Sequence, residues 1–347
     1  MKTNIFQLLF LTTILTSCLD QPVVIPNTPS DNFEALWKIV DTKYCYLDYK
    51  QINWDSIHQV YKSKVDSFSI ASKDNPDKKQ SERDFFTIMS NMLAELKDGH
   101  VNLYSPFNRS RYWNWYQDYP SNFNSSLIYS TKYLGKNYGS INGLQYEKIA
   151  GGKIGYIYYG SFSDNFKDQN LKYIFDYFSD CQALIIDVRN NGGGSADLAK
   201  TLATCFFNSR KTVSYFRHKT GSGHSDFGIP TPEIIIPDSQ KAQWKLPVAV
   251  LTNRLSYSAT NDFACMMKQA PNAILVGDKT GGGGGLPMSS ELPNGWMVRL
   301  SQVQMLDADM NQIEWGINPT YPCALIQSDI DKGDDTIIEK AVALMIK

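Results

Sequence analysis

The sequence predicts an α/β protein, and three observations carry that expectation. From Lys153 onward, apolar runs of strand length alternate with segments of helical spacing. The run Ala183 to Val188 is almost continuously apolar, as a strand covered on both faces must be. Chemistry-bearing residues and glycines cluster where these runs end. The chain has 347 residues, with 34 Lys+Arg against 35 Asp+Glu, 42% apolar residues and 20% charged ones. That composition suits a globular fold with a sizeable core, and its near-neutral balance offers no field to gather nucleic acid or an anionic membrane. Nucleic-acid binding is not expected.

Residues 1–17 have the layout of a secretory signal: Met1, Lys2, an apolar stretch, then Leu15-Thr16-Ser17 before Cys18. The stretch Ile5 to Leu15 falls far short of the roughly 20 residues that a membrane-spanning helix needs. Leu-Thr-Ser-Cys resembles a bacterial lipobox, with cleavage before Cys18 and lipid on its thiol. Residues 18–29, with Pro22, Pro26 and Pro29, read as a linker. The expectation is a protein lipid-anchored in the bacterial cell envelope, at the outer membrane, with periplasmic or surface orientation and oligomeric state left open. Cys45, Cys181, Cys205, Cys265 and Cys323 are scattered without Cys-x-x-Cys spacing, which argues for buried thiols and against a zinc site.

A helical N-terminal domain is expected over 30–100. Phe33, Leu36, Trp37 and Val40 repeat at helical spacing; a second helix, with Phe85, Ile88, Met89, Met92 and Leu93, is expected to start at Ser81 with Asp84 completing its cap. Asp98-Gly99 should stop that helix, with Gly99 in the left-handed conformation. Residues 101–150 read as an aromatic-rich connecting segment after the short strand Val101 to Tyr104. Its Tyr112, Trp113, Trp115, Tyr116 and Tyr119 fit either a wall beside a substrate or packing on the helical domain. The core, 151–347, opens with a strand at Lys153 to Tyr159 and a helix through Leu171, Ile174, Phe175 and Phe178. After the strand Ala183 to Val188, Ser195 should cap a helix carrying Leu198, Leu202 and Cys205. Strand Pro247 to Thr252, helix Ala259 to Met267, strand Ala273 to Val276 and a hairpin about Pro293-Asn294-Gly295 follow.

Chemistry is expected at the junctions. Asp187-Val188-Arg189-Asn190-Asn191-Gly192-Gly193-Gly194 runs from a buried strand into a helix start, where glycines expose backbone N–H groups. Such donors suit an oxyanion; a phosphate loop lacks its Gly-Lys-Ser/Thr here. Arg189 and Asp187 read as a brace for the loop. Ser256-Tyr257-Ser258-Ala259-Thr260 sits at a strand-to-helix turn, where a serine is either an N-cap or an outward-pointing nucleophile. Leu96-Lys97-Asp98-Gly99-His100 and Ile313-Glu314-Trp315-Gly316-Ile317-Asn318-Pro319 are two further candidates, although a lone His is more often structural than catalytic and a lone Glu is usually part of a solvated face. His58, His218 and His224 lack partner motifs.

Together, in this order, the segments resemble the carboxy-terminal-processing (tail-specific) serine protease family, and within it the tricorn-like branch. Val276-Gly277-Asp278-Lys279-Thr280-Gly281-Gly282 matches a further family strand and turn. The better-known branch draws its base from a Lys in a Phe-Gly-Lys-Gly turn; here Gly281 to Gly285 holds no amine, and Lys279 comes too early. The tricorn-like branch uses a His held by a late Glu, so the resemblance implies Ser258 as nucleophile, His100 as base and Glu314 as the acid that fixes the imidazole. Gly99 stands where the tricorn protease has a serine. Gly193 or Gly194, with Ala259, would form the oxyanion hole. The resemblance also implies a ClpP/crotonase-like core, a peptide or unfolded-protein substrate, and no cofactor or metal. The interval from His100 to Lys153 is too short for an inserted PDZ domain. Retinoid-binding repeats share this fold, so a silent member that binds an apolar ligand or a peptide is the alternative.

Overall fold

The computed structural model describes residues 26–346. The expected signal segment, Cys18 and the linker before residue 26 lie outside the described residues. Helix α1 (Pro29–Lys43) starts at the predicted place because Thr28 accepts the Asp31 N–H while Asp31 accepts that of Thr28, with a proline in the first turn. It buries Phe33, Leu36 and Val40. Helix α2 (Trp54–Ser72), capped by Asn53, was not expected from the sequence; only Trp54, Tyr61 and Val65 on it are buried, so its apolar stripe is too thin to read. Helix α3 (Lys78–Ala94) corrects the expected cap: Asp77 accepts the Gln80 N–H first, and Ser81 and Asp84 lie inside the helix. The left-handed residue after it is Lys97, at φ 48°, and not Gly99.

The strand β1 (Asn102–Tyr104) is followed by two single-turn helices, α4 (Asn114–Gln117) and α5 (Ser125–Ile128). The hairpin β2 (Gly139–Ile141) and β3 (Leu144–Ile149) then shows that the main sheet begins ahead of residue 151. Its mark in the sequence is Asn142-Gly143, both at positive φ, the pair that a two-residue hairpin turn demands. The mostly half-buried faces of β3 hide the alternation that would have announced it.

The alternation predicted from Lys153 onward is observed: β4 (Ile154–Tyr159), α6 (Asp168–Tyr177), β5 (Ala183–Asp187), α7 (Ala196–Thr204), then β6 (Lys211–His218) and β7 (Thr231–Ile235), β8 (Val248–Thr252), α8 (Ala259–Met267) and β9 (Ala273–Gly277). Ser195 caps α7 as expected, accepting the Leu198 N–H. The hairpin β10 (Gly285–Glu291) and β11 (Met297–Asp307) follows, with β12 (Tyr321–Pro322), α9 (Gln327–Ile330) and α10 (Thr336–Met345) closing the chain.

Seven strands form the main sheet in the order β12-β9-β8-β5-β4-β3-β2, parallel from β12 to β4 and antiparallel beyond. Alternate residues of β5 divide between its faces: Leu184 and Ile186 pack among α6, α7 and α8, while Ala183 and Ile185 meet Ile337, Ile338 and Ala341 of α10. This two-sided burial makes β5 and β8 read as unbroken apolar runs. In the second sheet β11 has β10 on one edge and β1 then β6 on the other, with β7 beyond β6. The N-terminal helices share one apolar cluster with Val101, Leu103, Leu292, Trp296, Val298 and Leu300, so they are mortared to this second sheet instead of enclosing a core of their own. The sheet thereby brings the α3–β1 loop, and His100 with it, to the ends of the parallel strands.

Candidate active site

The parallel neighbours β5 and β8 release their loops at the same edge, and the site is built there. Asp187 and Arg189 are fully buried. The guanidinium donates to both Asp187 oxygens through Nε, at 2.9 and 3.1 Å, and Nη1 donates to Asp335 at 3.0 and 3.1 Å. Asp335 in turn caps α10. Arg189 is thus the loop brace that the sequence suggested. Burial opposes its charge, but Asp187 and Asp335 outweigh that and hold its pKa above the ordinary arginine value. Asn191 knits this loop to the next: Oδ1 accepts from the Gly193 N–H and from Thr260 Oγ1, and its carbonyl accepts the Tyr257 N–H.

Ser258 sits between β8 and α8 at φ 58°, ψ −123°, and its side chain caps no N–H of the helix. A non-glycine residue there carries strain on the order of 1–3 kcal/mol and turns its side chain outward. The backbone is held by the Ser258 N–H donating to the Gly282 carbonyl at 2.9 Å. Gly282 has φ 83°, and a Cβ on it would lie 1.9 Å from the Glu314 carbonyl oxygen, so this close approach admits only glycine. The Ser258 hydroxyl meets His100 Nε2 at 2.9 Å. Of the expected oxyanion donors, Gly193 is engaged, since its N–H donates to Asn191 Oδ1 at 3.0 Å. Among the described residues the N–H groups of Gly194 and Ala259 have no acceptor.

His100 is 4% exposed. Burial drives its pKa down to about 4 against the pull of Asp98, with Arg299 and Lys50 adding to the decrease, so the ring is neutral at pH 7 and accepts from the serine hydroxyl. Its Nδ1 is buried without a hydrogen-bond partner. The expected bond from this nitrogen to Glu314 is not formed. Glu314 Oε1 lies 2.7 Å from Lys50 Nζ, and Oε2 accepts the Gly284 N–H at 3.0 Å. A buried ammonium competes for the carboxylate and wins it. Burial still leaves Glu314 a weaker acid than usual, despite Lys50. The acid that touches the His100 segment is Asp98, whose Oδ1 accepts the His100 backbone N–H at 2.7 Å while Oδ2 accepts from Tyr44 and Ser301. Burial opposes ionisation of Asp98, yet Lys50, His100 and these hydrogen bonds keep its pKa below the usual value.

The aromatic segment 112–119 forms a wall beside the dyad. Trp115 stacks on Tyr257 with ring centroids 4.0 Å apart, and its carbonyl accepts from Arg254, whose guanidinium lies 4.0 Å from the Tyr119 ring. A Cβ on Gly99 would come within 2.6 Å of Trp115 Nε1, so this glycine makes room for the wall. A cavity of about 130 Å³ lies between Tyr112, Trp115, Tyr257, Glu314 and Trp315. Sequence alone assigned Asp98 only a place in the turn that ends the helix, and Lys50 no role; Tyr44 and Tyr46, either side of Cys45, are buried aromatics in the stretch just before this lysine. His58 and His224 pair with Glu34 and Asp41, away from the dyad. Cys45, Cys181, Cys205 and Cys265 are buried free thiols, and Cys323 is a partly buried one.

Comparison with known proteins finds this chain's relatives among peptidases. Residues 153–323 match the model of peptidase family S41, and residues 26–72 match that of the tricorn protease C1 domain. The crystal structure of a "putative peptidase" from Parabacteroides merdae is 45% identical, covering 93% of this chain and 98% of that one, with a TM-score of 0.84. A "Probable CtpA-like serine protease" of Staphylococcus aureus is 30% identical over 173 residues, 48% of this chain and 33% of that protein. The carboxy-terminal processing protease CtpA of Bacillus subtilis is 28% identical over 142 residues, 41% of this chain and 28% of that protein. The chain therefore spans about a third of the length of these curated relatives. With its core matched as a family domain and the fold continuous with a solved relative over nearly its whole length, the chain belongs to peptidase family S41, the carboxy-terminal-processing serine proteases.

Proposed function

We propose that this chain is a serine peptidase that hydrolyses peptides or unfolded proteins, exported and held at a bacterial membrane by lipid on Cys18. The observation that carries the catalytic reading is the 2.9 Å approach of Ser258 Oγ to His100 Nε2, between residues 158 positions apart, with the serine in a strained backbone conformation at a strand end. Ser258 Oγ attacks the scissile carbonyl carbon as its proton passes to His100 Nε2. The oxyanion is received by the N–H groups of Gly194 and Ala259, each worth about 3 kcal/mol of barrier. His100 returns the proton to the leaving amine as the C–N bond breaks, and water then hydrolyses the acyl-serine by the same route. Asp98 supplies negative charge beside the transient imidazolium, and Glu314 supports it from across Lys50. The anchor rests on the Leu15-Thr16-Ser17-Cys18 segment alone.

The test is intact-mass analysis after a fluorophosphonate probe, with cleavage of a quenched unfolded-protein substrate. One adduct and cleavage in the wild type, both lost in Ser258→Ala and His100→Ala, is the expected result. A folded wild-type protein that takes no label and cleaves nothing overturns the peptidase reading in favour of a family member that binds peptide or apolar ligand. For the anchor, Cys18→Ala should release the protein from membranes; retention of the variant with normal signal processing overturns it.

A further inference from the structure

Lys50 lies outside every motif in the sequence, yet its side chain is only 2% exposed. Besides Glu314, its ammonium has Asp98 Oδ2 at 3.8 Å and donates to the carbonyls of Leu96 and Lys97 at 3.2 and 3.3 Å. It stands 4.7 Å from the centroid of the Trp315 ring, beside the acid it holds. Those two carbonyls belong to the turn that delivers His100, and that turn passes through Lys97 at φ 48°, a conformation that a non-glycine residue keeps only when its surroundings impose it. On the opposite side, Glu314 anchors the glycine run through the Gly284 N–H, and Gly282 in that run accepts the Ser258 N–H. One buried cation thus joins the segment carrying the base to the segment holding the nucleophile. Burying an ammonium is costly, and an apolar side chain of similar volume would serve packing as well or better. The charge is therefore explained by what it holds.

We propose that Lys50 is a positioning residue of this site: its ammonium clamps the His100 turn to the Glu314 segment and so sets the Ser258–His100 distance. The proposal rests on the peptidase reading above for its kinetic consequences, but not for its structural one.

The test compares the full chain with Lys50→Met, Glu314→Gln and the double variant. Three quantities are read: the fluorophosphonate labelling rate, kcat and KM on the quenched substrate, and the NMR signals of the four histidines at one fixed pH. Lys50→Met should slow labelling and lower kcat by about 100-fold, the cost of displacing a catalytic group by about 1 Å, with KM changed by less than about threefold. The His100 resonances should move while those of His58, His218 and His224 stay. The double variant removes both members of the close pair and leaves Asp98 with its hydrogen bonds from Tyr44, Ser301 and the His100 N–H, so it should be less destabilised than Lys50→Met. Its labelling should remain slow and lose little beyond either single change, because the two residues act as one unit. A double variant labelled at the wild-type rate overturns the proposal, as does a folded Lys50→Met protein with wild-type kcat or unmoved His100 resonances. An unlabelled wild-type protein sinks the peptidase reading, and the His100 resonances alone then decide whether Lys50 holds the turn.

Discussion

Two buried cations each sit between two carboxylates, and they are built differently. Arg189 offers a planar fork that engages Asp187 and Asp335 through hydrogen bonds of 2.6 to 3.1 Å, and all three side chains are sealed from solvent. Its partners stand on β5 and at the start of α10, so the charge ties two regular elements together. Lys50 offers a point charge with one close carboxylate at 2.7 Å and another at 3.8 Å, and its partners stand on loops. Beside it, the buried Nδ1 of His100 is left without a partner. The same inventory of charges yields a brace where geometry is saturated, and a tunable site where it is not.

The largest effect expected from breaking this contrast lies on the arginine side. Arg189→Met strands two buried carboxylates and should cost about 3–5 kcal/mol of unfolding free energy in denaturant melts, with the surviving folded fraction labelled at the wild-type rate. A wild-type melt would remove the distinction between brace and site. Asp98→Asn, on the other side, keeps the shape and removes the charge. It should lower the fluorophosphonate labelling rate by about 100-fold, roughly 2.7 kcal/mol of barrier, with a smaller change in the melt; equal labelling would leave Asp98 as a backbone acceptor only.

The pH profile sharpens the comparison further. The folded-state pKa of His100, about 4, lies below its ordinary 6.5, so the unfolded chain takes up this proton first as pH falls. The stability contributed by the neutral ring is fully present above 6.5 and is lost as pH drops through about 4. The labelling rate should hold through pH 6.5 and fall only near 4, and an acid limb at 6.5 would refute the burial of the base. The smallest effect belongs to a solvated version of the same pairing, Lys62 with Asp66 at 3.1 Å on one face of α2. Lys62→Ala should shift the melt by no more than about 0.5 kcal/mol and leave labelling unchanged, since water already screens the pair.

Much of the fold was legible because its signals are local. Helix α8 has the bounds that spacing predicts, Ser195 caps α7, and β5 and β8 read as buried strands because both faces of the sheet are covered. Where a local rule misled, a nearer competitor had won: Asp77 displaced Ser81 as the α3 cap, and Lys97 took the left-handed position expected of Gly99. The site was legible in part. Ser258 and His100 were named from motifs and stand together, and Glu314 was named from the same resemblance but is held by Lys50.

The sequence by itself determined the alternation of strands and helices, the strand ends where reactive groups emerge, and the Asp187 half of the Arg189 brace, since each depends on neighbours a few residues apart; the other half, Asp335, stands 146 positions away. Only the tertiary structure decided which acid faces which base. Lys50, the turn that holds Asp98 and His100, and Glu314 come from three separate segments, and their pairing is settled when burial strips away water and each charge must take the nearest opposite one. Such competition leaves no periodicity in a chain, because its outcome depends on distances that exist only after folding.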